Sequence, residues 1–274
     1  MSTLYVYGVV AEPDTGPDVT AYPVVGDDPQ VHVGWVRSAG LAAAVSALTI
    51  DRPLGTPADL RAHAGVLDSL AESGVPVLPF RFGTVLDDEP SVAEGVLADG
   101  HDAFTTALDR LRGRTQFTVR ARYERDTVLL EVLDERPDIV ELRERVAGLS
   151  EVAGRSELMR LGELVAQALD GKREADAARL RERLAPAADA VVALEPADED
   201  AIADLSFLVP DSGRPAFEQA AEQLAAEWRG RARLRLLGPL APYDFVVEAM
   251  TEAPGPARPT RAGDSGSGRQ RARK

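Results

Sequence analysis

The run from Thr115 to Tyr123 alternates without a break, with Phe117, Val119, Ala121 and Tyr123 at one parity and Gln116, Thr118, Arg120 and Arg122 at the other. Successive side chains of an extended strand point to opposite faces, so this pattern predicts a strand with one buried and one polar face. Such a strand is stable only inside a sheet that something else covers, and the rest of the chain supplies the parts. Thr3 to Val10 is β-branched and aromatic, with Tyr5 and Tyr7 on one side and Val6 on the other, and reads as the first strand. Val31 to Arg37 reads as another. Leu41 to Leu48 stays open, because its alanines favour a helix while its position favours a strand. Val75 to Val85 reads as a strand interrupted by Pro76 and Pro79, hence short or near an edge.

Helices alternate with these strands. Thr56-Pro57-Ala58-Asp59 is a helix start, a hydroxyl cap followed by proline in the first turn and an acid near the positive end of the dipole. Leu60, Ala64, Leu67 and Ala71 keep helical spacing until Gly74. Asp87-Asp88-Glu89-Pro90 opens a second helix with Val92, Val96, Phe104, Leu108 and Leu111 as its stripe, loosened near Gly100 and ended at Gly113. Thr127 to Leu194 is almost all helix-compatible, with breaks expected at Pro137, Gly154, Gly171 and Pro186. The pattern of strand and helix then returns. A strand at Ala203 to Val209, a turn at Pro210 to Gly213 and a helix at Pro215 to Arg229 lead to a strand at Arg231 to Leu237, where Arg231, Arg233 and Arg235 alternate with Ala232, Leu234 and Leu236. A last strand is expected at Asp244 to Glu248. The fold class is therefore α+β, with two small mixed-sheet α/β sandwich domains, ferredoxin-like in style, joined by a helical segment. The expected divisions are an N-terminal domain at 1–125, a helical connection at 126–198, a C-terminal β-α-β-β part at 199–252 and a disordered basic tail at 253–274.

Charge narrows the function classes. The net charge is −14, but the stretch from Ala253 onward carries +5, which leaves −19 for the remainder. An acidic body repels phosphate chains and anionic bilayers, so neither nucleic acid nor membrane is an expected partner. The absence of cysteine excludes disulfides, thiolate metal sites and a cysteine nucleophile. Met1-Ser2-Thr3 passes directly into Leu4-Tyr5-Val6-Tyr7, without the basic start and apolar run of a signal peptide, which makes a cytosolic chain the expectation.

Catalytic chemistry finds little to build on. His32, His63 and His101 do not lie at ligand spacing, and the phosphate-loop, dinucleotide and nucleophile-elbow patterns are absent. His63 and His101 fall in predicted helices, where a satisfied or exposed histidine is the ordinary reading. Asp87, Asp88 and Glu89 could hold a hard cation, but acids at a helix start are also what the dipole favours. No cofactor, metal site or catalytic residue is expected.

Two segments exceed what folding demands. In Val77-Leu78-Pro79-Phe80-Arg81-Phe82-Gly83-Thr84-Val85, alternation sets Arg81 opposite two phenylalanines, where it either caps Asp87, Asp88 or a helix end, or meets a partner. Gly238-Pro239-Leu240-Ala241-Pro242-Tyr243-Asp244-Phe245 is a rigid turn entering an aromatic segment.

Together with Leu4-Tyr5-Val6-Tyr7-Gly8 and Leu111-Arg112-Gly113, these segments resemble, in order and spacing, the gas vesicle protein family labelled F and L, over most of residues 3 to 248. One departure is Gln116, where many members carry an acid. The resemblance implies a non-enzymatic accessory or minor structural protein of gas vesicle formation, located in the cytoplasm and at the gas vesicle. Its implied partners are the small, very apolar major shell protein, whose aggregation it would limit during nucleation and assembly, and other gas vesicle accessory proteins. It also makes Arg81, Phe82, Asp87, Asp88, Tyr243 and Phe245 the candidate binding residues. Without the resemblance, the residues point first to a generic cytoplasmic α+β interaction module, then to a small-molecule enzyme with a site near Arg81, and last to a nucleic-acid binder acting through the basic tail.

Overall fold

The computed structural model describes residues 3–12, 24–26, 28, 30–49, 52–149, 151–196 and 198–251, without the side chains of 151–153, 248 and 251. The tail from Ala253 and most of the turn-rich stretch from Glu12 to Pro29 lie outside them.

The first sheet is built from β1 (Leu4–Ala11), β2 (Gly34–Ser38), β3 (Leu41–Ala47), β4 (Val77–Pro79) and the short β5 (Val85–Leu86). Its path runs β2-β3-β1-β4, with β5 also paired to β1, and every pairing is antiparallel. The ambiguous alanine run is thus a strand. Small side chains suit it there, because helices press on both sides: Ala42 and Ala44 belong to one core and Ala43 and Val45 to the other. A bulge between Val6 and Gly8 shifts the phase of β1, so Tyr5, Tyr7 and Val10 share one face and Leu4, Val6 and Val9 the opposite one.

Helix α1 (Pro57–Glu72) lies against the tyrosine face. Its start is a capping box: Thr56 Oγ1 accepts the Asp59 N–H (3.2 Å), and the Asp59 carboxylate accepts the Thr56 N–H (3.0 Å). Arg52 donates to both oxygens of that buried carboxylate, at 2.7 and 2.9 Å, and holds it far below the usual carboxylate range. The opposite face is covered by α2 (Glu89–Val92), a π-helical stretch at Ala93–Ala98 and α3 (His101–Leu111), so the expected second helix is broken into three parts.

The second sheet contains β6 (Arg114–Tyr123), β7 (Ala190–Leu194), β8 (Ala201–Pro210) and β9 (Ala232–Leu240), in the order β7-β8-β6-β9 and again antiparallel throughout. Its apolar face, with Phe117, Val119, Phe207 and Leu205, packs on α6 (Glu151–Leu184) and α7 (Arg214–Glu227). The two sheets share one topology. In each, the first strand lies between the third and fourth, and a helix (α1 or α7) connects those two outer strands, which run parallel to one another.

Between the sheets run α4 (Arg125–Glu135), α5 (Pro137–Ala147) and α6. The breaks near Pro137 and Pro186 occur, but α6 passes through Gly154 and Gly171. A helical glycine costs about 1 kcal/mol relative to alanine, and packing against α4, α5, α7 and β8 offsets it. Lys172 reinforces this packing by reaching Glu131 (3.2 Å) and Glu135 (2.7 Å) on α4. Strand β7 falls within the stretch read as helical; it is a short edge strand whose Val191 joins the second core while Ala190 and Val192 face the first half. The expected last strand, Asp244 to Glu248, is instead a 3-10 turn at Tyr243–Phe245 followed by α8 (Val246–Thr251). No strand partner is at hand there, and Phe245 and Ala249 are buried against α3 at helical spacing.

Candidate functional site

The segments that stand out in the sequence lie far apart along the chain, yet they converge on one residue of α1, His63. Tyr5 and Tyr7 reach it from β1, Phe82 from the turn after β4, and Tyr243 from the turn after β9. Their ring centroids lie 5.7, 5.8, 5.6 and 6.3 Å from the imidazole. Such edge and stacked contacts contribute about 0.5–1.5 kcal/mol each beyond their buried area.

The turn that delivers Phe82 follows from Gly83. The Arg81 carbonyl accepts the Thr84 N–H (3.2 Å) and hydroxyl (2.7 Å), and Gly83 takes φ +88°, a left-handed value that favours glycine. This turn ends the alternation after Pro79. Phe80 therefore packs on Phe104 below the sheet (6.0 Å), while Phe82 joins Tyr5 and His63 above it, so the two rings do not share a face. Arg81 is exposed and caps neither Asp87 nor Asp88. Asp88 is the N-cap of α2, accepting the Ser91 N–H (2.9 Å) and hydroxyl (2.6 Å), contacts that lower its carboxyl; Asp87 is exposed beside it.

Hydrogen bonds hold the polar atoms of the cluster. The Tyr5 hydroxyl accepts the Gly83 N–H (3.1 Å) and shares a hydrogen bond with His63 Nδ1 (2.9 Å). The imidazole Nε2 is buried on the side of the Phe80 backbone, without a hydrogen-bond partner among the described residues. The Tyr7 hydroxyl accepts the Val25 N–H (2.9 Å) and meets Ser46 Oγ (3.0 Å). Burial pushes the Tyr5 phenol up to about 12, raises Tyr7 and Tyr243, and lowers His63. Burial likewise raises Asp68, which accepts the Ala241 N–H (2.9 Å) and so ties the end of β9 to α1. These shifts keep the tyrosines and the histidine uncharged at neutral pH, which makes the cluster an apolar joint with fixed polar contacts.

Tyr243, Asp244 and Phe245 each go to a different place. Tyr243 meets His63 and stays 36% exposed. Asp244 turns to the second sheet, where its carboxylate accepts from Gln116 Nε2 (2.7 Å) and Ser206 Oγ (2.6 Å). The Asp244 N–H donates back to Gln116 Oε1 (3.1 Å). With the Ser206 proton committed, Thr118 donates to Ser206 across the strand pair (2.9 Å) and accepts from Gln116 (3.4 Å), which closes the network. Gln116 and Thr118 are therefore buried, although alternation alone set them on a solvated face. Phe245 is buried with Leu208 and Ala249 and is a core residue.

The amide at Gln116 suits this place because it donates to the Asp244 carboxylate and accepts from its backbone; an acid here would face another acid. This network and the role of His63 were missed by reading residues singly. The usable signal was the pair of small polar residues, Thr118 and Ser206, on otherwise apolar strands.

The family model described as gas vesicle synthesis protein GvpL/GvpF matches residues 3–247. Gas vesicle protein F of a Streptomyces species is 33% identical over 90% of this chain and 100% of its own length. Gas vesicle protein F of a Nostoc species is 26% identical over 89% of this chain and 98% of its own. The crystal structure of gas vesicle protein GvpF from an Anabaena species superposes with a TM-score of 0.74 at 26% identity, covering 90% of this chain and 98% of that one.

Proposed function

Because the chain belongs to the gas vesicle synthesis protein GvpL/GvpF family, we propose that it is a non-catalytic accessory or minor structural protein of gas vesicle formation, present in the cytoplasm and at the gas vesicle. It binds the small, very apolar major shell protein, together with other accessory proteins, and limits shell-protein aggregation during nucleation and assembly. The observation that carries this reading is the family match over nearly the whole chain, including the segments that meet at His63. A shell subunit exposes adhesive apolar surface before it assembles, and a partner of net charge −14 that covers this surface keeps the complex soluble.

We assign the contact to Arg81, Phe82, Asp87 and Tyr243, which leave guanidinium, carboxylate and ring edge partly or fully exposed. Asp88 and Phe245 support that surface from inside, as a helix cap and a core residue. The exposed Leu149, Leu158 and Met159, around the start of α6, offer a further apolar contact. Co-expression tests the reading: the soluble fraction of the major shell protein should rise when this chain is present, and vesicle formation should depend on it. Equal solubility with and without the chain, with vesicles still forming, would sink it.

A further inference from the structure

On the second sheet, Arg120 of β6 stands directly opposite Arg235 of β9, and Arg122 opposite Arg233. Like charges placed this way destabilise a sheet. Arg122 offsets its charge on Asp204 and Asp198, and Arg233 on Glu124 (2.7 Å). Arg120 and Arg235 are exposed and have no acidic partner among the described residues. Arg229, just past the end of α7, joins them around a groove of about 600 Å³ that Leu234 also lines.

The same groove runs along an open sheet edge. The bond from the Glu124 N–H to the Arg231 carbonyl sets the phase of the β6-β9 ladder. Arg233 and Arg235 thus turn their backbone groups toward β6, while Leu234 and Leu236 turn theirs away from it. β9 is the last strand of its sheet, so among the described residues these outward N–H and C=O groups have no strand to pair with.

We propose that this groove binds an extended acidic segment of a protein partner, added as a further strand on β9. The segment's backbone pairs with Leu234 and Leu236, and its alternate carboxylates meet Arg120, Arg229 and Arg235. Strand addition uses main-chain bonds for affinity and alternate side chains for selection, and a guanidinium matches a carboxylate with two parallel bonds. A long phosphate chain is disfavoured, because the chain as a whole carries a net charge of −14.

The test is fluorescence anisotropy with the full chain and a labelled eight-residue peptide of alternating glutamate and threonine. Binding should weaken as salt rises, and it should fall about tenfold or more when Arg120 and Arg235 are both changed to serine. A similar loss is expected when alternate peptide nitrogens are methylated, which blocks the ladder but keeps the charge. The Arg120→Ser/Arg235→Ser variant should remain folded and melt no lower than the parent, because the change removes like-charge repulsion. The proposal is overturned if the peptide does not bind, if the double variant binds it equally, or if methylation has no effect. It is also overturned if inorganic tripolyphosphate or a single-stranded oligonucleotide of equal charge binds more tightly than the peptide. Self-association of the chain through this groove, abolished in the double variant and seen without any peptide binding, would likewise replace the acidic partner by a second copy.

Discussion

Replacing Asp244 by alanine removes the one acceptor that joins the turn after β9 to the second sheet. Two donors lose their carboxylate, Gln116 Nε2 at 2.7 Å and Ser206 Oγ at 2.6 Å. Gln116 and Ser206 are 3% and 0% exposed, so water cannot replace it without rearrangement. A hydrogen bond to a charged group contributes about 1.5–3 kcal/mol, and a buried donor left unpaired costs about 1–3 kcal/mol. Ser206 can turn its proton toward Thr118, which leaves the Gln116 amide as the main orphan. The expected loss is about 3–4 kcal/mol for Asp244→Ala and about half that for Asp244→Asn, which keeps one acceptor oxygen. The assay is urea unfolding followed by tryptophan fluorescence, because Trp35 reports on the first sheet and Trp228 on the second core. In the parent the two signals should change together, and in Asp244→Ala they should separate as the halves lose one of the contacts that join them. A loss under about 1 kcal/mol with coincident transitions would refute the claim that this network joins them.

Further predictions concern backbone and charge. Gly238→Ala would put a Cβ 2.6 Å from Phe117 Cδ1 at φ +139°, so it should cost about 2 kcal/mol or more in the same assay. Gly162→Ala, on α6 with no atom beyond its chain neighbours and its own helix backbone within 4 Å of the added Cβ, should instead raise stability by about 0.5–1 kcal/mol. Asp59→Asn removes the carboxylate charge that pairs with Arg52 and weakens the cap of α1, costing about 2 kcal/mol near neutral pH. Because the folded Asp59 carboxyl lies far below its unfolded value of 3.8, its contribution is full above that value and is lost as pH falls toward the folded one; the gap between parent and variant in pH-dependent urea melts should close in that window. Burial lowers His63 below 6.5, so the unfolded chain takes up its proton first and the parent loses stability as pH falls below that value. His63→Phe should flatten that slope between pH 7 and 5.

Much of the architecture could be read from local rules. Strand β6 follows from its alternation, and α1 from Thr56, Pro57 and Asp59, whose cap forms as the residue types predict. Elsewhere tertiary contacts override local preference. Ala42 to Ala44 are helix formers made into strand by helices on both faces, and α6 carries three glycines because four neighbouring elements hold it. The segment after Pro242 looks like a strand by its aromatic content, but Phe245 and Ala249 meet α3 at helical spacing instead. For the candidate site, sequence could mark Tyr5, Phe82 and Tyr243 as unusual without showing that they meet at His63, since convergence depends on how β1, β4 and β9 are ordered. The turn at Gly83 also hid the separation of Phe80 and Phe82, because a strand's alternation ceases where the left-handed glycine begins.

The most direct measurement is a pull-down of the major gas vesicle shell protein by the full chain, with Arg81→Ala and Tyr243→Ala variants alongside. Arg81 is exposed and makes no structural contact through its guanidinium among the described residues, so its loss should leave the fold intact. Specific capture by the parent is expected, with capture reduced about tenfold by either substitution, at unchanged stability for Arg81→Ala. Failure of the parent to capture the shell protein would contradict a shell-binding role, and equal capture by both folded variants would contradict the surface assigned to it.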